Sequence, residues 1–139
     1  MPRFKLKGRD DPRLQGLDAF TQAYIEAAIF TEEENLGGIG TVAVQQLADQ
    51  TVFRFLRDCS MFQRRTKLDE IPEHACRRGT DTHSVAAQAG HDFWMTRNGH
   101  GVGFWDGDWI EPYAGQLDRL AKSFGQVDLY RGRDGRIYS

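Results

Sequence analysis

Five residues between positions 91 and 108, His91, Asp92, His100, Asp106 and Asp108, are of the types that ligate metal ions or move protons. A small metal-dependent hydrolase or nuclease would draw on His91, Asp92, Asp106 and His100. A second group is Glu73-His74-Ala75-Cys76, followed by His83. It places a thiol near imidazoles, the material of cysteine–histidine catalysis if base and thiol come within hydrogen-bond reach. A third is Asn98 with Gly99, Gly101 and Gly103, which has the composition of a phosphate-cradling loop.

The elements that must position these groups weaken all three. Asn98-Gly99 lies between two apolar, aromatic runs, the strongest short-range signal for a tight β-hairpin. With a two-residue turn, Arg97 faces His100, Met95 faces Val102 and Phe93 faces Phe104. Phe93, Met95, Val102 and Phe104 then share one apolar face, directed at the helices. Asp92, Trp94, Thr96, Gly101, Gly103 and Trp105 take the other, with Gly103 leaving room for the Trp94 indole. Such a ribbon separates His91 from His100 by roughly 20 Å at ~3.3 Å per residue, so they cannot share a metal. His91 with Asp106 or Asp108 stays open. No HExxH or CxxC spacing is present, and the glycines alternate within a hairpin instead of joining a strand to a helix. No metal and no cofactor are expected. No family-specific motif surrounds Cys76, which reads as a loop thiol, and Cys59 reads as a small core residue.

The remaining elements follow from periodicity. Residues 1–13 are charged and contain proline, and read as a flexible N-terminal arm; 14–139 read as a single domain. Asp18 can cap a helix running to 30, with Leu17, Phe20, Tyr24 and Ala28 on one stripe. The acidic run at 32–34 and Gly37-Gly38 then form a loop. A second helix is expected from 41 to about 65. Its face of Val44, Leu47, Ala48, Thr51, Phe55, Cys59 and Phe62 makes it the expected central packing element. A polar connection from 67 to 81 leads to a short helix over 83–89, capped by Thr82 or Asp81. After a loop at Gly107-Asp108-Trp109, Pro112 opens a helix with Leu117, Leu120, Ala121 and Phe124 on its stripe, stopped by Gly125. A second hairpin turns at Arg133-Asp134-Gly135. This order predicts an α+β fold, N-terminal helices packed on a small antiparallel sheet built from two C-terminal hairpins.

Bulk composition narrows the function classes. A chain of 139 residues, 40% hydrophobic and 27% charged, fits one soluble globular domain. A net charge of -2 gives no global pull toward nucleic acid or an anionic membrane. Local cation clusters (Arg64, Arg65 and Lys67; Arg77-Arg78; Arg131, Arg133 and Arg136) nevertheless leave room for a nucleic-acid patch. No apolar run follows the basic N-terminus and none nears the roughly 20 residues of a membrane helix, so a cytoplasmic protein with reduced cysteines is expected.

The stretch His91-Asp92-Phe93-Trp94-x-Thr96-Arg97-Asn98-Gly99-His100-Gly101-x-Gly103-Phe104-Trp105-Asp106 resembles small uncharacterised proteins of bacteriophages and plasmids. So do Phe124-Gly125-x-x-Asp128-x-Tyr130 and the closing Asp134-Gly135-x-Ile137-Tyr138. The resemblance covers roughly 88–139 and implies a genetic setting, in a bacterial host cell, with no catalytic residue. The expected function is therefore non-enzymatic: binding and inhibition of a host protein complex, in the manner of an anti-defence or anti-CRISPR protein. The expected binding residues are Trp94, Arg97, Asn98, His100, Trp105 and Trp109, with Trp and Arg favoured as binding anchors. The alternative is a nucleic-acid-binding accessory protein using the arginine clusters and aromatic stacking. A homodimer is compatible with either.

Overall fold

A computed structural model describes residues 11–38, 40, 42–77 and 84–139. Among these residues there are four α-helices, α1 (Ala19–Leu36), α2 (Asp49–Thr66), α3 (Val85–Arg97) and α4 (Tyr113–Ser123). Two short strands, β1 (Tyr130–Arg131) and β2 (Ile137–Tyr138), pair antiparallel with Tyr130 opposite Tyr138 and Arg131 opposite Ile137. The class is α+β, helices packed on a small antiparallel sheet. The second predicted hairpin forms that sheet; the first is not a hairpin.

Residues 91–97 are the second half of α3, and the Asn98-Gly99 pair ends it. Gly99 has φ 68°, its N–H donates to Thr96 O at 3.3 Å, and the His100 N–H donates to Met95 O at 3.1 Å. That pair of bonds is a Schellman closure, in which a left-handed glycine satisfies the last carbonyls of a helix. The expected short helix at 83–89 therefore begins at Val85, capped by the Ser84 hydroxyl on Ala87 N–H, and runs on to Arg97. Asp81 and Thr82, the expected caps, lie outside the described residues.

Helix α3 is also the centre of the fold, a place expected for the second helix. Every residue from Gln88 to Arg97 is buried, with α1 on one side and α4 on another. The aromatic core runs across these helices. Phe62 and Phe93 stack with ring centres 4.2 Å apart, and Tyr24 meets Trp94 edge-on at 5.4 Å. Gly90 lets the α3 backbone lie directly against Phe20 of α1.

Helix α1 starts as expected, with Asp18 accepting from Thr21 N–H at 2.8 Å, but continues through the acidic run to Leu36. Glutamate is a good helix former, so the run extends the helix until Gly37. Helix α2 starts later than expected, at Asp49, after a single 3-10 turn at Val44–Gln46. Its opening Ala48 has no capping side chain. The strand β2 supplies the partner instead: Ile137 O accepts from Ala48 N–H and from the Thr51 hydroxyl, each at 2.9 Å.

Of the predicted arm, 1–10 lie outside the described residues, whereas 11–13 are tied down. The Arg13 guanidinium donates to Leu47 O at 2.6 Å and Val44 O at 3.1 Å, and pairs with Asp11 at 2.8 Å. These contacts hold the turn that leads into α2.

The cap of α1 gives the fold an acid-sensitive point. Partial burial alone would raise the Asp18 pKa, but hydrogen bonds from the Thr21 hydroxyl and N–H and from the Gln63 amide outweigh it and hold it below its ordinary value. A carboxyl whose folded pKa is depressed contributes stability above its unfolded value, near 4, and loses it as pH falls through the folded one. Asp18→Asn keeps a capping oxygen without the charge. Between about pH 6 and pH 3, urea midpoints should fall more for the wild type than for Asp18→Asn; equal falls would show no linkage at this cap.

Candidate functional site

The six predicted binding residues divide between the interior and one loop. Trp94 is fully buried, and its indole N–H donates to the Thr31 hydroxyl of α1 at 2.8 Å. On a ribbon it would have lain on the face opposite Phe93 and Met95; on α3 it is enclosed between α1 and α2.

Arg97 is buried as well. Its guanidinium donates to Asp58 Oδ2 at 2.9 Å, the Tyr24 hydroxyl at 3.1 Å, Gly125 O at 2.8 Å and Phe124 O at 3.0 Å. The rings of Phe93 and Phe124 lie 5.2 and 5.7 Å from its central carbon. It ties α1, α2 and the end of α4 to α3, and leaves little donor capacity for a partner. Asn98 is inward too: its amide donates to Trp94 O at 3.0 Å and its oxygen accepts from Val127 N–H at 2.8 Å.

Trp109 is buried against Phe104, and its indole N–H donates to Asp92 Oδ2 at 2.7 Å. The other Asp92 oxygen receives the Gln88 amide at 3.1 Å and lies 2.9 Å from His91 Nδ1. This buried carboxylate thus fixes the orientation of His91. The proposed alliance of His91 with Asp106 or Asp108 does not form: Asp106 instead accepts from the N–H groups of Gly103 and Asp108. Among the described residues, no group of three or more His, Cys, Asp or Glu is arranged to hold a metal ion.

Cys76 is buried beside Trp109, whereas His74 is exposed; both line a shallow depression with Glu73 and Arg77. His83 lies outside the described residues. Cys59 sits in the core, where burial pushes its thiol well above the ordinary value and keeps it protonated.

What reaches solvent is the loop over 99–107. Trp105 is 56% exposed and Val102 40% exposed, flanked by exposed His100, Gly101, Asp106 and Gly107. His100 Nε2 lies 3.7 Å from Glu32 on α1. The loop's stem is clamped: Phe104 is fully buried, its N–H donates to the Thr96 hydroxyl at 3.1 Å, and a Cβ on Gly103 would strike that same hydroxyl. Phe104, immediately before Trp105, and Trp109, four residues after it, anchor the backbone that carries this exposed ring.

One participant escaped the sequence reading. Asp58, the partner of Arg97, lies three residues after Phe55 and beside Cys59, on the apolar face of α2. A carboxylate in that position signals a buried cation, since aspartate is rarely buried unpaired. Tyr130 and Tyr138, which the sequence placed in the second hairpin, form a stacked cross-strand pair.

A helical body with a small antiparallel sheet and a loop that exposes Trp105 defines a small α+β protein. No family model, curated protein or solved structure matches the chain. Among the described residues, no helix is long and apolar enough to cross a membrane.

Proposed function

We propose that this chain is a non-enzymatic binding protein that engages a protein partner through its 99–107 loop, with Trp105 as the anchor. The observation that carries this is the exposure of Trp105 at 56% on a loop pinned to the core by Phe104 immediately before it and by Trp109 four residues after it. A side chain carried on backbone that is already anchored before binding leaves less of the chain to be ordered on contact, and Trp is enriched among residues that dominate binding energy. Val102 extends the apolar contact and His100 lies at its rim.

The resemblance to phage and plasmid proteins supplies the setting. The partner is a host protein complex, and the outcome of binding is inhibition of it, with a defence system such as a CRISPR complex as the particular target. Trp94, Arg97 and Trp109 act in this scheme by supporting the loop and the core beneath it.

A pull-down from bacterial host lysate should recover a partner at stoichiometric level with the wild type. Trp105→Ala should reduce recovery by at least about tenfold, the scale of a binding hot spot. Phe53→Ala, at an exposed aromatic elsewhere on α2, should leave it unchanged. No stoichiometric partner, or equal capture by Trp105→Ala, would overturn the proposal.

A further inference from the structure

The exposed Tyr130 ring and the arginines of the C-terminal turn belong to one hairpin, which the 99–107 loop is not part of. Tyr130 is 55% exposed, and one of its faces stacks on its cross-strand partner Tyr138, ring centres 5.9 Å apart and planes at 24°. The Tyr138 hydroxyl donates to Asp134 at 2.6 Å, which fixes that ring in turn. The outer tyrosine is thus presented on a rigid inner one.

The cations around it are unevenly engaged. Arg131 is fully committed, to Leu36 O at 2.6 and 2.9 Å and to Gly135 O at 2.6 Å. Arg133 and Arg136 are exposed, and their guanidinium groups form no hydrogen bond or ion pair with the described residues. Asp134 is the only acid between 131 and 136, and it is occupied by the Tyr138 hydroxyl and the Arg136 N–H. The turn therefore leaves Arg133 and Arg136 available against one aspartate that is already occupied, in the same hairpin as the exposed Tyr130 ring.

We infer that this hairpin binds a single-stranded polynucleotide, with a base stacked on Tyr130 and phosphates on Arg133 and Arg136. Stacking on an aromatic ring and pairing of phosphates with arginine are the two interactions that single-strand binding needs, and neither requires a particular base. A net charge of -2 for the whole chain makes the contact local, confined to two phosphates instead of a continuous basic groove.

The test uses the full chain and fluorescein-labelled oligothymidylate and oligouridylate of about 15 nucleotides, read by anisotropy. Saturable binding of either polymer supports the inference, and the comparison distinguishes DNA from RNA. Two phosphate contacts predict a loss of about sevenfold in affinity between roughly 50 and 200 mM salt. Tyr130→Ala should weaken binding by about 5- to 150-fold, while Tyr130→Phe, which keeps the ring, should bind as the wild type does. The double variant Arg133→Gln/Arg136→Gln should bind weakly with little salt dependence. Trp105→Ala should bind normally, so failure here and failure of protein capture are separate results. The inference is overturned if neither oligomer binds at low salt. It is equally overturned if binding survives Tyr130→Ala and the arginine double variant in refolding-competent protein.

Discussion

Replacing Arg97 with methionine should cost about 3–5 kcal/mol of folding stability, the range for breaking a buried ion pair by removing one partner. The cost is set by what is left behind. Asp58, almost inaccessible itself, would be left with only the exposed Arg57 beside it at 3.3 Å. The carbonyls of Phe124 and Gly125 would lose their donors, and the Tyr24 hydroxyl its partner. Arg97→Lys should recover little, since one ammonium cannot reproduce a planar fork that meets acceptors on three sides. Arg97→Met with Asp58→Leu should be more stable than Arg97→Met alone, because the stranded charge goes too. Urea unfolding of the four proteins measures this. A single variant within about 1 kcal/mol of the wild type would remove Arg97 from its place as the pin of the fold.

The same result bears on how the binding reading is tested. Trp94 and Arg97 stood in the sequence as binding residues of an amphipathic ribbon, and variants at either would have looked like probes of a surface. In the folded chain both are interior. Loss of a partner with Arg97→Ala or Trp94→Ala would report damage to the core, whereas Trp105→Ala leaves the core intact and probes the loop alone.

The difference traces to one ambiguity. Asn-Gly marks a place where the backbone takes positive φ, and that need is shared by a tight hairpin turn and by the end of a helix. Periodicity is what usually separates the two. Here it is silent, because residues 88–97 are buried on every side and so carry neither a 3.6-residue stripe nor an alternation of two. Amphipathic elements were legible for the opposite reason. Helices α2 and α4 bury one face each, with Val52, Phe55, Cys59 and Phe62 inward on α2 and Ala114, Leu117 and Ala121 inward on α4. The second hairpin was legible from Asp134-Gly135 between two short apolar runs. Of the candidate site, Trp105 and His100 were identified at exposed positions. The inward placing of Trp94, Arg97 and Trp109 depended on partners 17 to 73 residues distant, which no local pattern encodes.

Gly90 carries the other large effect, and its sign reverses the ordinary rule. In a helix interior, glycine to alanine stabilises by roughly 0.5–1 kcal/mol, because alanine loses less conformational freedom on folding. At Gly90 a Cβ would fall on the Phe20 carbonyl oxygen and 2.8 Å from its carbon. Both are backbone atoms inside α1, so no rotamer change relieves the contact; the two helices must separate. Separation would loosen the packing of Phe20 and Tyr24 on Phe93 and pull at the Trp94–Thr31 bond. Gly90→Ala should therefore destabilise by about 3 kcal/mol, the upper part of the range for overpacked cores. Gly115 of α4 is the internal comparison. A Cβ there meets only the ends of the Arg119 and Glu111 side chains at 3.2 Å, which can swing away. Gly115→Ala should thus be neutral or stabilising by up to about 1 kcal/mol. Urea denaturation of the two variants should shift the midpoint in opposite directions or leave Gly115→Ala unmoved. A Gly90→Ala midpoint at or above that of the wild type would mean that α1 and α3 do not meet backbone to backbone, and the central place of α3 would fall with it.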